Sequence, residues 1–223
     1  MFRNRKEAGQ QLADCLRRRQ LHNPLVLAIP RGGVAVGAVL AHELGAELDV
    51  VLSRKLRAPM QPEFAIGAIS EGGEVHLNSH AEEALGVSQD YLSRERRDQL
   101  AEIGWRKELF RHVRPKAEIA GRSVIVTDDG IATGSTMIAA LQSLRPQFPH
   151  EVIVAVPVAS PDRLHQVRRW CDDVVCLLAP DEFFAIGQFY KNFDPVEDEE
   201  VVRLLREFGI PQQATSSAVL TAP

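Results

Sequence analysis

Two adjacent carboxylates, Asp128 and Asp129, end a run of branched apolar residues, Val124, Ile125 and Val126. Small residues follow them: Gly130, Ala132, Thr133, Gly134, Ser135 and Thr136, with Ile131 among them. Met137–Leu141 then takes up helical spacing. The order is buried strand, acid pair, small-residue turn, helix. Such a turn presents backbone N–H groups at a helix N-terminus, where the dipole favours an anion. Glycine lets a ligand approach the backbone, and hydroxyls add donors. The two acids repel a phosphate but suit sugar hydroxyls, or a divalent cation held partly through water. A phosphate cradle beside a hydroxyl site describes a phosphorylated sugar.

A second stretch repeats this logic. Leu25–Ile29 reads as a buried strand, Pro30-Arg31-Gly32-Gly33 as a turn, and Val34–Leu44 as a helix. Paired glycines let N–H groups converge on an anion, and Arg31 offers a fork of donors for phosphate. The pattern is neither GxGxxG nor GxxxxGK[ST], so dinucleotide and Walker readings lose support. A third basic point is Arg54-Lys55, placed at the end of an expected strand over Leu48–Ser53.

The remaining elements are those that must hold these turns. Asn4–Arg19 reads as an amphipathic helix with Ala8, Leu12, Cys15 and Leu16 on one face. Ala58–Glu63 is proline-broken and reads as a loop, Phe64–Ser70 as a strand, and Gly72-Gly73 as a hairpin turn to Val75–Leu77. Ser88 caps a long helix reaching about Val113, its charged face solvated and ion-paired within itself. Arg111–Gly121 leads back to the central strand. Val152–Val158 and Val174–Leu178 are further strands, with a helix from Ser160 or Asp162 to about Trp170 between them. Glu197–Phe208 is a last helix. Alternating strands and helices imply parallel crossovers, and hence an α/β fold with a central, mostly parallel sheet flanked by helices. Residues 1–210 read as one domain. Residues 211–223 carry no periodicity and read as a disordered tail.

Composition narrows the function classes. A net charge of −4 argues against a dominant nucleic-acid footprint. No run of 18 apolar residues exists, and the charged start is no signal peptide, so the expectation is a cytoplasmic protein without membrane contact. Three cysteines, Cys15, Cys171 and Cys176, form no CxxC pair, which disfavours a disulfide framework or zinc knuckle. His76 and His80 are four apart, but Asn78 and Ser79 between them read as a turn, not as a helix that would aim both at a metal.

The string TDDGIATGST resembles the phosphoribosyl pyrophosphate (PRPP) motif of the type I phosphoribosyltransferases, and IPRGGV resembles that family's pyrophosphate loop. The resemblance covers roughly Leu25–Leu178. It implies a PRPP site made of Pro30, Arg31, Gly32, Gly33, Arg54, Lys55 and Asp128 through Thr136. Within it, Asp128 and Asp129 face the ribose hydroxyls, Ala132–Thr136 wrap the 5′-phosphate, and Arg31, Gly32, Gly33 and Lys55 hold pyrophosphate. It makes Arg31, Lys55, Asp128 and Asp129 the catalytic set. It also implies Mg²⁺ brought with PRPP and reached by Asp128 and Asp129 through PRPP or water. A non-proline cis peptide at or next to Arg31 and a flap over the site belong to the same expectation. A homodimer rests on the resemblance alone.

The acceptor is less defined. Hypoxanthine–guanine enzymes of the resembled family place an Asp at the position matching Ala132, as a base for the purine. Glu63, Glu71, Asp181 and Glu182 are the remaining carboxylates considered as a base. The segment Asp181–Asp194 carries Phe183, Phe184, Phe189, Tyr190 and Phe193. It matches the place of a C-terminal hood, about residues 179–200, where Phe183 or Phe184 would stack on a planar acceptor. The expected reaction is transfer of phosphoribose to a nitrogen acceptor, a nucleobase or related heterocycle, with release of pyrophosphate. The alternative is a regulator that binds PRPP or a nucleotide without turnover. A receiver-like phosphoacceptor shares the acid pair but needs neither glycine turn.

Overall fold

The computed structural model describes residues 1–59, 61–77 and 87–208. The chain runs α1 (Arg5–Leu16), β1 (Leu25–Ala28), α2 (Gly32–Leu44), β2 (Glu47–Val50), β3 (Ser53–Ala58), β4 (Gln61–Ser70), β5 (Val75–Leu77) and α3 (Gln89–Val113). It continues through β6 (Ser123–Thr127), α4 (Ser135–Leu144), β7 (Glu151–Val158), α5 (Pro161–Val167), β8 (Asp173–Leu178) and α6 (Asp198–Phe208).

Five parallel strands form the central sheet in the order β2-β1-β6-β7-β8. Its faces follow from residue alternation. Val26, Ala28, Leu48, Ile125, Ile153 and Ala155 pack with Leu12 and Leu16 of α1, Leu40 of α2 and Leu205 of α6. Leu25, Leu27, Val124, Val126, Val152 and Val154 face the other way, onto Met137 and Leu141 of α4 and Val167 of α5. Both faces are covered, so these strands read as unbroken apolar runs.

From β1 the chain moves outward to β2, then returns to the other side of β1 and moves outward through β6, β7 and β8. The direction of winding therefore reverses between β1 and β6. A crevice opens beyond the carboxyl ends of the strands at such a reversal. The register brings Ala28 level with Thr127, and Ile29 N–H donates to the Thr127 carbonyl at 2.9 Å. The turns after β1 and β6 thus leave the sheet at the same height.

Three strands, β3-β4-β5, make a separate antiparallel sheet. Here the structure corrects the sequence reading. The expected strand through Ser53 splits: β2 ends at Val50, and Arg54-Lys55 lies within β3 rather than at a parallel strand's end. The expected loop 58–63 likewise shrinks, since β4 begins at Gln61. In β3 the alternating residues Leu56 and Ala58 are buried while Arg54, Lys55 and Arg57 are only partly so. That period of two was hidden by three basic residues in a run of six.

A buried ion network joins this sheet to the core. Arg111, near the end of α3, donates to Asp49 Oδ1 at 2.6 Å and to both Glu71 carboxylate oxygens at 2.8 Å. Asp49 is 1% exposed and Glu71 8%. Burial pushes the Asp49 carboxyl up, against the opposing pull of Arg111. Arg111 was expected in a connecting segment; it is a hub instead.

Other boundaries move by a few residues. Asn4 caps α1 by accepting the Glu7 N–H, and Ser88 caps α3 by accepting the Tyr91 N–H. α1 stops at Leu16, and Cys15 is exposed rather than on the apolar face. The expected tail 211–223 lies outside the described residues, as do His80 and the side chain of Glu63.

Candidate active site

The turn after β1 brings Arg31 to the N-cap of α2, with Gly32 and Gly33 as its first residues. The Pro30–Arg31 peptide is cis. These glycines are required by contact. A Cβ on Gly32 would lie 1.9 Å from Asp129 Oδ2, and one on Gly33 would lie 2.9 Å from the Asp128 Cα. The N-terminus of α2 is pressed against the acid pair, which no larger residue permits.

The turn after β6 carries the second half. Asp128 is partly exposed, and its Oδ1 accepts the Asp129 N–H at 2.8 Å. Burial, reinforced by the neighbouring Asp129 charge, holds the Asp128 carboxyl well above the ordinary aspartate range. Gly130 abuts Ile186 and Val158 so closely that a Cβ would meet Ile186 at 2.8 Å. Ile131 is buried, and its N–H donates to the Val158 carbonyl. The chain then emerges: Ala132, Thr133 and Thr136 are exposed, and Gly134 caps α4 with φ 81°. The positive φ favours glycine there. At the start of α4 the Ser135 N–H donates to Thr133 Oγ1 at 3.4 Å; a helix N-terminus of this kind favours an anion.

Asp129 is placed differently from Asp128. It is 7% exposed, and its Oδ2 accepts from Arg5 Nε at 2.9 Å. Arg5 opens α1 and was not among the residues the sequence singled out. Its Nη1 donates to the Asp194 carbonyl at 2.8 Å, and its guanidinium carbon lies 3.9 Å from the centre of the Phe193 ring. Tyr190 donates its hydroxyl to the Asp129 carbonyl at 2.7 Å and stacks on Phe193 at 4.9 Å. Burial, then the Asp129 charge, pushes the Tyr190 phenol up, so it stays a neutral donor. The aromatic cluster was visible in sequence. That it grips the acid turn was not, because the partners are 61 and 124 residues apart.

The first residues of the chain complete this arrangement. Phe2 N–H donates to the Phe189 carbonyl, Lys191 N–H to the Phe2 carbonyl and Asn192 N–H to the Arg3 carbonyl. Phe2 and Tyr190 rings lie 5.4 Å apart. Residues 2–5 and 189–194 are thereby zipped together behind Asp129.

The other expected site residues lie nearby or elsewhere. The Arg31 Nη1 sits 3.3 Å from Glu197 and 3.5 Å from Asp198, at the start of α6. Arg54 donates to Gln99 on α3 at 2.8 Å, and Lys55 is half-buried on β3. Phe183 packs on Phe189 with centroids 5.3 Å apart, whereas Phe184 is 87% exposed. Asp181 and Glu182 are exposed on the same turn. Glu71 is buried and held by Arg111, so it is not a free base. Among the described residues no group of three or more histidine, cysteine or carboxylate side chains can cage a metal. A groove of about 1050 Å³ runs between α1, α2 and α6; neither Asp128 nor residues 132–136 line it.

Comparison with known proteins agrees with this geometry. The phosphoribosyl transferase domain model matches residues 3–193. A Mycobacterium tuberculosis protein with a provisional phosphoribosyl transferase name, Rv0571c, is 41% identical over 205 residues. That match takes in 92% of this chain and 46% of the relative, so the chain spans about half the relative's length. The crystal structure of TT1426 from Thermus thermophilus superposes with a TM-score of 0.89 at 46% identity, covering 93% of this chain and 98% of that one. The chain belongs to the phosphoribosyl transferase domain family.

Proposed function

We propose that the protein transfers phosphoribose from Mg²⁺-bound PRPP to a nitrogen acceptor, a nucleobase or related heterocycle, and releases pyrophosphate. The observation that carries this is the pairing of two glycine-built helix N-termini, of α2 and α4, around Asp128 at the point where the sheet reverses. The α4 turn, Ala132–Thr136, takes the 5′-phosphate through backbone N–H groups and hydroxyls. Asp128, the more exposed of the acid pair, addresses the ribose hydroxyls. Arg31, the Gly32 and Gly33 N–H groups, Arg54 and Lys55 receive pyrophosphate. Pyrophosphate must compete with Glu197 and Asp198 for Arg31. Bound Mg²⁺ would neutralise charge on the departing pyrophosphate, and Asp128 would be the carboxylate to hold it through water.

Bond breaking at the anomeric carbon builds positive charge on the sugar and negative charge on the leaving group. Fixed donors at the pyrophosphate and a fixed ribose lower that barrier by position and electrostatics. Phe184 offers an exposed ring on the hood turn for a planar acceptor. Ala132 supplies no proton acceptor, so the acceptor is one that needs no base at that position.

The test is pyrophosphate release from Mg²⁺-PRPP with pooled nucleobases, with products read by mass. A ribosyl-phosphate adduct establishes the enzyme and names its acceptor. PRPP binding by calorimetry without any adduct favours the regulator reading. Absence of PRPP binding removes the enzyme and the PRPP-binding regulator alike.

Asp128→Asn gives a result with two signs. A raised carboxyl pKa means that the stability present below the ordinary value of about 3.9 is lost as pH rises through the raised value. The neutral amide avoids that loss and keeps an oxygen for the Asp129 N–H. We expect a Tm at pH 7 some degrees above wild type, a gain that fades below about pH 4, together with PRPP affinity lowered at least about tenfold. Wild-type affinity in this variant would remove Asp128 from the ribose site.

A further inference from the structure

Asp128 and Asp129 are equal in sequence and unequal in space. Asp128 is partly exposed, whereas Asp129 is 7% exposed and lies beneath the start of α2. The Arg5 side chain is itself 12% exposed and has three partners: the Asp129 carboxylate, the Asp194 carbonyl and the Phe193 ring. It borders the groove between α1, α2 and α6, which Asp128 and residues 132–136 do not line. It joins the first turn of α1, the acid turn and the hood at one point.

We propose that Arg5 is a positioning residue for the ribose turn: it holds Asp129 as an internal anion, leaving Asp128 as the carboxylate that meets the sugar. This rests on the reading of Asp128–Thr136 as the PRPP site. Two consequences set it apart from a surface ion pair. First, Arg5 acts on ligand affinity through Asp129, so the two residues are one functional unit although 124 positions apart. Second, the residue that prepares the sugar site belongs to the N-terminal helix, outside both glycine turns.

The experiment is a double-mutant cycle with Arg5→Gln, Asp129→Asn and the pair, plus Arg5→Lys, read by Mg²⁺-PRPP calorimetry on the full chain. Partners in one unit are non-additive, whereas independent sites add. We expect Arg5→Gln to weaken PRPP about tenfold, to do little more in the Asp129→Asn background, and Arg5→Lys to recover part of the loss. Amide exchange of the ligand-free proteins supplies a second readout: Arg5→Gln should speed exchange in residues 128–134. Full additivity, or wild-type affinity in Arg5→Gln, overturns the proposal. A wild-type protein that fails to bind PRPP overturns the functional reading instead. In that case unchanged exchange at 128–134 in Arg5→Gln overturns the hold on the turn as well, and faster exchange upholds it.

Discussion

Gly32→Ala is expected to abolish the site with one added methyl group. The new Cβ would sit 1.9 Å from Asp129 Oδ2 and 2.6 Å from its Cγ, separations that no packing tolerates. Relief by rotation is blocked, because the carboxylate is buried and bound to Arg5 Nε. Either the ion pair breaks or the start of α2 lifts away from β6. Breaking a buried pair costs about 3 kcal/mol or more, and a displaced α2 withdraws its N–H groups from the crevice. We expect a large fall in Tm and PRPP affinity reduced by about a hundredfold or more. Gly104→Ala is the matched control. Gly104 lies inside α3, and a methyl group added there would meet nothing within 4 Å, so alanine should stabilise by roughly 1 kcal/mol. Calorimetry and thermal melts on both variants decide the point. A folded Gly32→Ala protein with wild-type PRPP affinity would mean that the α2 turn is not part of the site.

Arg111→Met should be the most destabilising single change away from the crevice. It keeps an unbranched stem and removes the cation between Asp49 and Glu71. Stranding buried carboxylates costs about 3–5 kcal/mol, or roughly 10 °C in Tm for a chain of this size. The pH dependence has a definite sign. Without Arg111 the Asp49 carboxyl, already raised by burial, rises further. The folded variant then binds a proton more readily than the unfolded chain, so its deficit grows as pH rises from about 4 toward neutrality and narrows in acid. Thermal melts from pH 4 to 8 read this directly. A variant melting within a degree or two of wild type across that range would show that the network carries little stability.

Local signals were legible in the sequence; distant ones were not. Val124–Met137 announces itself because strand, acids, turn and helix are consecutive, and the backbone follows them in that order. Pro30–Gly33 was legible for the same reason. β3 was missed because its apolar face is only Leu56 and Ala58, set among Arg54, Lys55 and Arg57. Arg57 looks like a solvated charge until Glu95 is seen to accept from it through both carboxylate oxygens. The acid pair shows the limit most clearly. Nothing in the letters at 128 and 129 distinguishes the two. Their environments differ only because Arg5, Tyr190 and Gly32 arrive from three other parts of the chain.

The zipper between residues 2–5 and 189–194 also carries a timetable. A ribosome makes Arg5 long before Tyr190, and domains assemble as their segments emerge. Phe2 cannot meet Phe189, nor Tyr190 the Asp129 carbonyl, until almost the whole described chain has left the exit tunnel. The strands of the central sheet are all made by Leu178, although Leu205 of α6 has still to cover one face. A nascent chain can therefore hold all five strands and both glycine turns while lacking the clamp behind its acids. Competence to take up a sugar phosphate is acquired only after the last strand is made, when residues 189–194 close the clamp and α6 covers the sheet.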